Sequence, residues 1–137
     1  MKYLFINSVA GFGSTGRIIL STCEQLERQG HTCRIAYGRH AVDCDIPTMT
    51  IGNAWDYRLH ALTHRIFGTG GFGSRAATAR FLRQVREYDP DVIWLHNLHG
   101  YYIHIGLLFD YLRGSGKKII WTLHDCWAFT GNCPYFS

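Results

Sequence analysis

Five short apolar runs, at 2–8, 32–37, 48–51, 91–96 and 118–123, alternate with stretches whose apolar residues recur at helical spacing. Short strands alternating with helices build βαβ units. The expected fold is therefore α/β, with a Rossmann-like, doubly wound and mostly parallel sheet. The run at 2–8 reads as a strand covered on both faces. A helix is expected at 15–29, with Ile19, Cys23 and Leu26 on one face and Gly30 at its C-terminal cap. Trp55, Leu59, Leu62 and Ile66 are spaced for one face of a second helix. Phe81, Leu82, Val85 and Tyr88 mark a third, and Ile103, Leu107, Leu108 and Tyr111 a fourth. Pro90 opposes helical geometry in the residue before it, so the third helix should stop at Asp89.

The chain has 137 residues, enough for one domain with a real core. Hydrophobic residues make up 47% and charged residues 18%, a globular balance. Aromatic residues reach 15%, many beside glycines and histidines in the expected loops, which points to a binding surface. The net charge of +4 rests on eleven Arg and three Lys. A guanidinium grips phosphate or carboxylate bidentately, so this bias suits anionic partners. No basic run or RNA-binding signature is present, and nucleic acid is not an expected partner. No apolar stretch approaches the ~18 residues of a membrane span. The start turns polar at Asn7, too early for a secretory signal. The five cysteines, odd in number and scattered through expected core elements, fit a reducing compartment. The expected location is the cytoplasm.

Gly11-Phe12-Gly13-Ser14-Thr15-Gly16 matches G-x-G-x-x-G and sits between a strand and a helix, as that motif requires. Glycines let the backbone turn sharply and approach a ligand, and the free N–H groups of the helix start favour an anion. Arg17, in the first turn, adds a positive charge. Two details argue against ordinary dinucleotide binding. Ser8-Val9-Ala10 intervene where the dinucleotide turn is usually tighter, and the second strand ends in Tyr37-Gly38-Arg39, without a carboxylate for a ribose hydroxyl. Arg39 suits a 2′-phosphate instead, which keeps an NADP-binding oxidoreductase as an alternative.

His96-Asn97 follow the fourth strand and His124-Asp125 the fifth. In a doubly wound order the first and fourth strands flank the switch point, where open α/β sheets bind ligands. The glycine loop and both histidine loops would then meet at one crevice. Histidine there donates to a phosphate or sugar hydroxyl, or moves a proton near neutral pH. His99 and His104, with Tyr101 and Tyr102 between them, offer polar tips and flat rings suited to sugars. For His60, His64, His99 and His104 a structural role is the competing reading. Cys126 and Cys133 lie near His124 in sequence, but structural zinc sites use tighter pairs and four ligands. No metal is expected from these residues alone. Half a site completed beyond residue 137 stays an alternative.

The run Trp121-Thr122-Leu123-His124-Asp125-Cys126-Trp127-Ala128-Phe129-Thr130-Gly131, preceded by Pro90-Asp91-Val92-Ile93-Trp94-Leu95-His96-Asn97-Leu98-His99-Gly100, resembles the acceptor domain of family-4-type bacterial glycosyltransferases. The glycine loop fits the same pattern, so the resemblance spans the chain. It implies the N-terminal half of a GT-B fold, in which two Rossmann-like domains face each other. It also implies a cytoplasmic enzyme that moves a sugar, with retained anomeric configuration, from a nucleotide-sugar donor to a saccharide or lipid-linked acceptor, often in exopolysaccharide or capsule assembly. No cofactor or metal is implied, the nucleotide sugar being a substrate. Carried over by position, Gly13 and Ser14 face the donor phosphates, His124 contacts the transferred sugar and Asp125 supports His124. Gly11, Gly16, Arg17, His96, Asn97 and His99 join them as expected substrate-binding residues. The paired-glutamate motif and basic phosphate clamp of such enzymes belong to a C-terminal domain beyond this chain, so residues 1–137 alone should not turn over.

Arg58 and Arg65, beside the stripe of Leu59, Leu62 and Ile66, suit docking on an anionic membrane surface, where a lipid-linked acceptor would be met. The competing reading is a surface helix packed on the sheet. A non-catalytic module that binds a sugar or an anion is the third function class open at this stage.

Overall fold

The computed structural model describes residues 1–11, 13–41, 43–52, 58–59, 61–62, 65–66, 75–99 and 102–124. The elements run β1 (Lys2–Ala10), α1 (Gly13–Arg28), β2 (Thr32–Ala41), β3 (Thr48–Thr50), α2 (Arg75–Tyr88), β4 (Val92–Leu95), α3 (Ile105–Ser115) and β5 (Lys118–Trp121). Residues 58–59, 61–62 and 65–66 are also helical. The five strands are ordered β3-β2-β1-β4-β5, and every pairing is parallel. This is the doubly wound, Rossmann-like sheet that the alternation of elements predicts. The sheet grows outward from β1 to β3, then resumes on the other side of β1 with β4, so the switch point lies between β1 and β4.

Side chains alternate along β1 and divide the core in two. Leu4 and Ile6 point to one face, where they meet Ile93 and Leu95 of β4, Phe81, Leu82 and Val85 of α2, and Leu108 and Leu112 of α3. Phe5 points to the other, with Ile19 and Cys23 of α1 and Cys33 and Ile35 of β2. The helical stripe at Ile19, Cys23 and Leu26 thus covers the sheet as its spacing requires. Burial raises the thiols of Cys23 and Cys33 above the ordinary cysteine range, as apolar surroundings disfavour thiolate.

The helix ends follow local chemistry. After α1, Gly30 N–H donates to Glu27 O at 3.0 Å and His31 N–H to Leu26 O at 3.0 Å, the paired bonds of a Schellman cap. The third expected helix corresponds to α2, which stops at Tyr88. Asp89, before Pro90, takes a φ of 53° and pairs with Lys117.

Two bounds differ from expectation, and both shape the site. Val9 and Ala10 continue β1 instead of forming a loop, and β2 runs on to Ala41. The ladder passes from Asn7↔Tyr37 to Val9↔His40, so two steps on β1 oppose three on β2. The extra residue is a β-bulge, which lets pairing resume beyond it. The glycine turn therefore follows the strand at once. The extra length that separated it from a dinucleotide turn on paper belongs to the strand.

Candidate active site

The site is built at the C-terminal edge of the sheet, around the β1/β4 switch point. Gly11 and Gly13 have φ of 67° and 68°, a region that side chains rarely enter, and together they turn β1 into α1. A Cβ on Gly16 would lie 3.0 Å from Gly11 N and 3.2 Å from Gly11 C, so a bare glycine is needed for α1 to pack on its own turn. The first turn of α1 carries no acidic residue, and Ser14 and Arg17 are exposed there. Helix N–H groups, helix dipole and guanidinium all favour an anion at this end.

Asn7 ties the turn to β4. Its side chain is fully buried near the end of β1. Nδ2 donates to Val9 O at 2.9 Å and to Thr15 Oγ1 on α1 at 3.4 Å, while Oδ1 accepts from Asn97 N–H at 3.2 Å. A buried carboxamide has both donors and acceptor to satisfy, and here each serves a different segment.

His96 and His124 meet across the ends of β4 and β5. Nδ1 of His96 lies 2.9 Å from Nε2 of His124, and the rings stack with centroids 5.2 Å apart. His96 is only 4% exposed. Beneath it Phe5 and Trp94 complete a stack, each ring centroid within 5.9 Å of the imidazole. The backbone is pinned too: His96 N–H donates to Ile6 O at 2.9 Å, and His96 O accepts from Trp121 Nε1 at 3.1 Å. Trp94 Nε1 donates to Thr122 Oγ1 at 2.8 Å, and Thr122 N–H to Leu95 O at 2.9 Å, which fasten the loop carrying His124 to β4. Burial, followed by the charge of His124, lowers the His96 pKa from 6.5 to about 4, so its ring is neutral near neutral pH.

Of the residues singled out in the sequence, Gly11, Gly13, Ser14, Gly16 and Arg17 lie on the turn and first turn of α1, and His96, Asn97 and His124 lie at the neighbouring strand ends. The contacts Thr15–Asn7–Asn97 and His96–His124 bring them to one edge. Of this pair the half-buried imidazole is that of His124; the ring of His96, read as a substrate contact, is buried and turned toward its partner. His99 is half-buried on the same loop. His104 has a structural post: it is the N-cap of α3, where Nδ1 accepts from Leu107 N–H at 3.0 Å. Tyr102 is buried, and its hydroxyl donates to Asn97 O at 2.5 Å. Asp125, Cys126, Cys133, His60, His64 and Tyr101 lie outside the described residues. Among the described residues no group of three or more His, Cys, Asp or Glu is placed to hold a metal. Sequence reasoning missed Asn7, whose one signal is a carboxamide inside an otherwise apolar strand.

The family model described as Glycosyltransferase Family 4 matches residues 15–136, most of the chain, from the start of α1 onward. No curated protein matches the sequence. The matched span holds both histidine loops and all the described strands except β1. The match implies sugar donors and sugar acceptors, in general, as substrates. On its fold and on that match together, the chain belongs to glycosyltransferase family 4.

Proposed function

We propose that this chain is the acceptor-side half of a GT-B enzyme that transfers a sugar, with retention, from a nucleotide-sugar donor to a saccharide or lipid-linked acceptor. The proposal places the donor-gripping domain C-terminal to it in the same protein. One observation carries the reading: buried polar contacts join α1, β1 and the end of β4 through Asn7, and the ends of β4 and β5 through the histidine pair. As the bond to the sugar breaks, the departing diphosphate gains charge. N–H groups at Gly13 and Ser14, the α1 dipole and Arg17 oppose that charge from a preorganised position. His124 meets the transferred sugar and orients it, and Asp125 supports His124. Asn97 and His99 serve as further substrate contacts. Helix and guanidinium supply the positive charge in this reading, which assigns no metal and no cofactor.

The full-length protein, supplied with UDP- and GDP-hexoses, tests this. His124→Ala should lower sugar transfer by roughly a hundredfold while the fold survives. Transfer within about twofold of the wild type would remove His124 from the reaction.

A second reading concerns the surface on which the acceptor is met. Leu59, Leu62 and Ile66 are 64%, 52% and 63% exposed, beside exposed Arg58 and Arg65. The competing reading, packing on the sheet, would bury these three side chains. Apolar side chains flanked by guanidinium groups suit an anionic bilayer surface, and this supports peripheral docking on the cytoplasmic membrane, in polysaccharide assembly. No helix among the described residues is long and apolar enough to cross a membrane. Arg58→Glu with Arg65→Glu should abolish co-sedimentation with vesicles rich in anionic lipid; undiminished binding would contradict membrane docking.

A further inference from the structure

A neutral imidazole carries one hydrogen, on Nδ1 or on Nε2. Nε2 of His96 is buried, and among the described residues no hydrogen-bond partner reaches it. A buried N–H without an acceptor is rarer in folded proteins than an unused lone pair, because the donor keeps its full desolvation penalty. The hydrogen of His96 therefore belongs on Nδ1, 2.9 Å from His124 Nε2. An N–H on one side of that contact requires a lone pair on the other. Nε2 of a neutral His124 is then the acceptor, and its own hydrogen sits on Nδ1.

We infer that His96 is a positioning residue: Nδ1–H of His96 donates to Nε2 of His124, fixing His124 as the Nδ1–H tautomer and turning that N–H toward the sugar. The inference rests on the reading that His124 meets the transferred sugar. The surroundings suit such a post. The His96 ring is clamped by Phe5 and Trp94, and its backbone is held by Ile6 and Trp121. A ring so fixed holds its partner in one orientation, and a site gains precision from side chains locked in this way. The lowered pKa of His96 agrees with a neutral ring. His96 itself touches no substrate in this arrangement.

Nitrogen NMR of the imidazole rings, in protein labelled at histidine, reads the tautomers directly. In the wild type near neutral pH, His124 should show a protonated Nδ1 and a bare Nε2. His96→Phe keeps the stacked ring but removes the donor, and should move His124 toward the Nε2–H form that free imidazole favours in water. His96→Asn places an amide donor near the former Nδ1 and should restore the wild-type pattern. In the full-length protein with UDP- and GDP-hexoses, His96→Phe should lower kcat about tenfold with KM for the donor nearly unchanged, as expected for losing one orienting hydrogen bond. His96→Asn should recover most of that loss, and adding His96→Phe to His124→Ala should cost nothing further.

A wild-type His124 that carries its hydrogen on Nε2 would overturn the inference. So would a tautomer or a kcat that His96→Phe leaves unmoved while His124→Ala is inactive. If His124→Ala stays fully active although the tautomers are as stated, the reading of His124 fails instead, and the positioning role with it.

Discussion

His96 is a base whose surroundings refuse it a proton, and that makes it a source of acid sensitivity. Its pKa is lowered from 6.5 to about 4 by burial, with His124 adding to the effect. The unfolded chain takes up a proton as pH falls through the ordinary value, whereas the folded chain resists until about 4. Stability linked to this residue is thus fully present above the ordinary value and is lost as pH falls between the two. The full loss amounts to about 3 kcal/mol. His104, also lowered by burial, acts in the same direction. Urea unfolding of the wild type and of His96→Phe, near neutrality and near pH 4, isolates the His96 share. The wild type should lose about 2–3 kcal/mol more than the variant, and equal losses would show that His96 is not held neutral. At this scale the sequence was only partly legible. His124 and the glycines stand out because they follow apolar runs, where topology places ligand sites. The division between a buried histidine and a presented one was not legible, since both follow strands in the same way and only packing against Phe5 and Trp94 separates them. Asn7 was hidden for a related reason: its partners Thr15 and Asn97 lie on other elements, the second of them far along the chain.

Elements were easier to read than their ends. Apolar periodicity located the strands, and the parallel order followed from the helices between them. The extension of β1 and β2 did not follow, because Ser8-Val9-Ala10 shows no alternation and Gly38 resembles a strand terminator. Gly38 instead lies inside β2 because Tyr102 fills the space above it. A Cβ there would stand 2.2 Å from the Tyr102 Cβ, with the Tyr102 hydroxyl anchored on Asn97 O. Neither backbone can retreat without disturbing the bulge or the loop that carries Asn97. Gly38→Ala should therefore destabilise the protein by about 3 kcal/mol or more. Denaturant titration checks this, and a change below about 1 kcal/mol would mean that Tyr102 does not pack against β2. α3 shows the opposite balance. Its apolar residues announced a helix, and of the two readings open for the histidine before it, sugar contact or structural role, the structural one holds: His104 is its N-cap.

At the scale of the whole molecule, composition and topology converge on one domain with an anion-friendly edge. The donor sugar is not legible here, because in the proposed enzyme the residues that grip it belong to the facing domain. In the proposed reaction this domain would contribute placement: a helix start for the diphosphate and an imidazole for the sugar, held at a fixed separation by β1, β4 and β5. A crystal structure of the full-length protein with an intact nucleotide sugar tests that placement most directly. The diphosphate is expected against the N–H groups of Gly13 and Ser14, with the transferred sugar within hydrogen-bonding distance of the His124 ring. A donor bound with its sugar at the opposite end of the strands, and His124 untouched, would contradict the account.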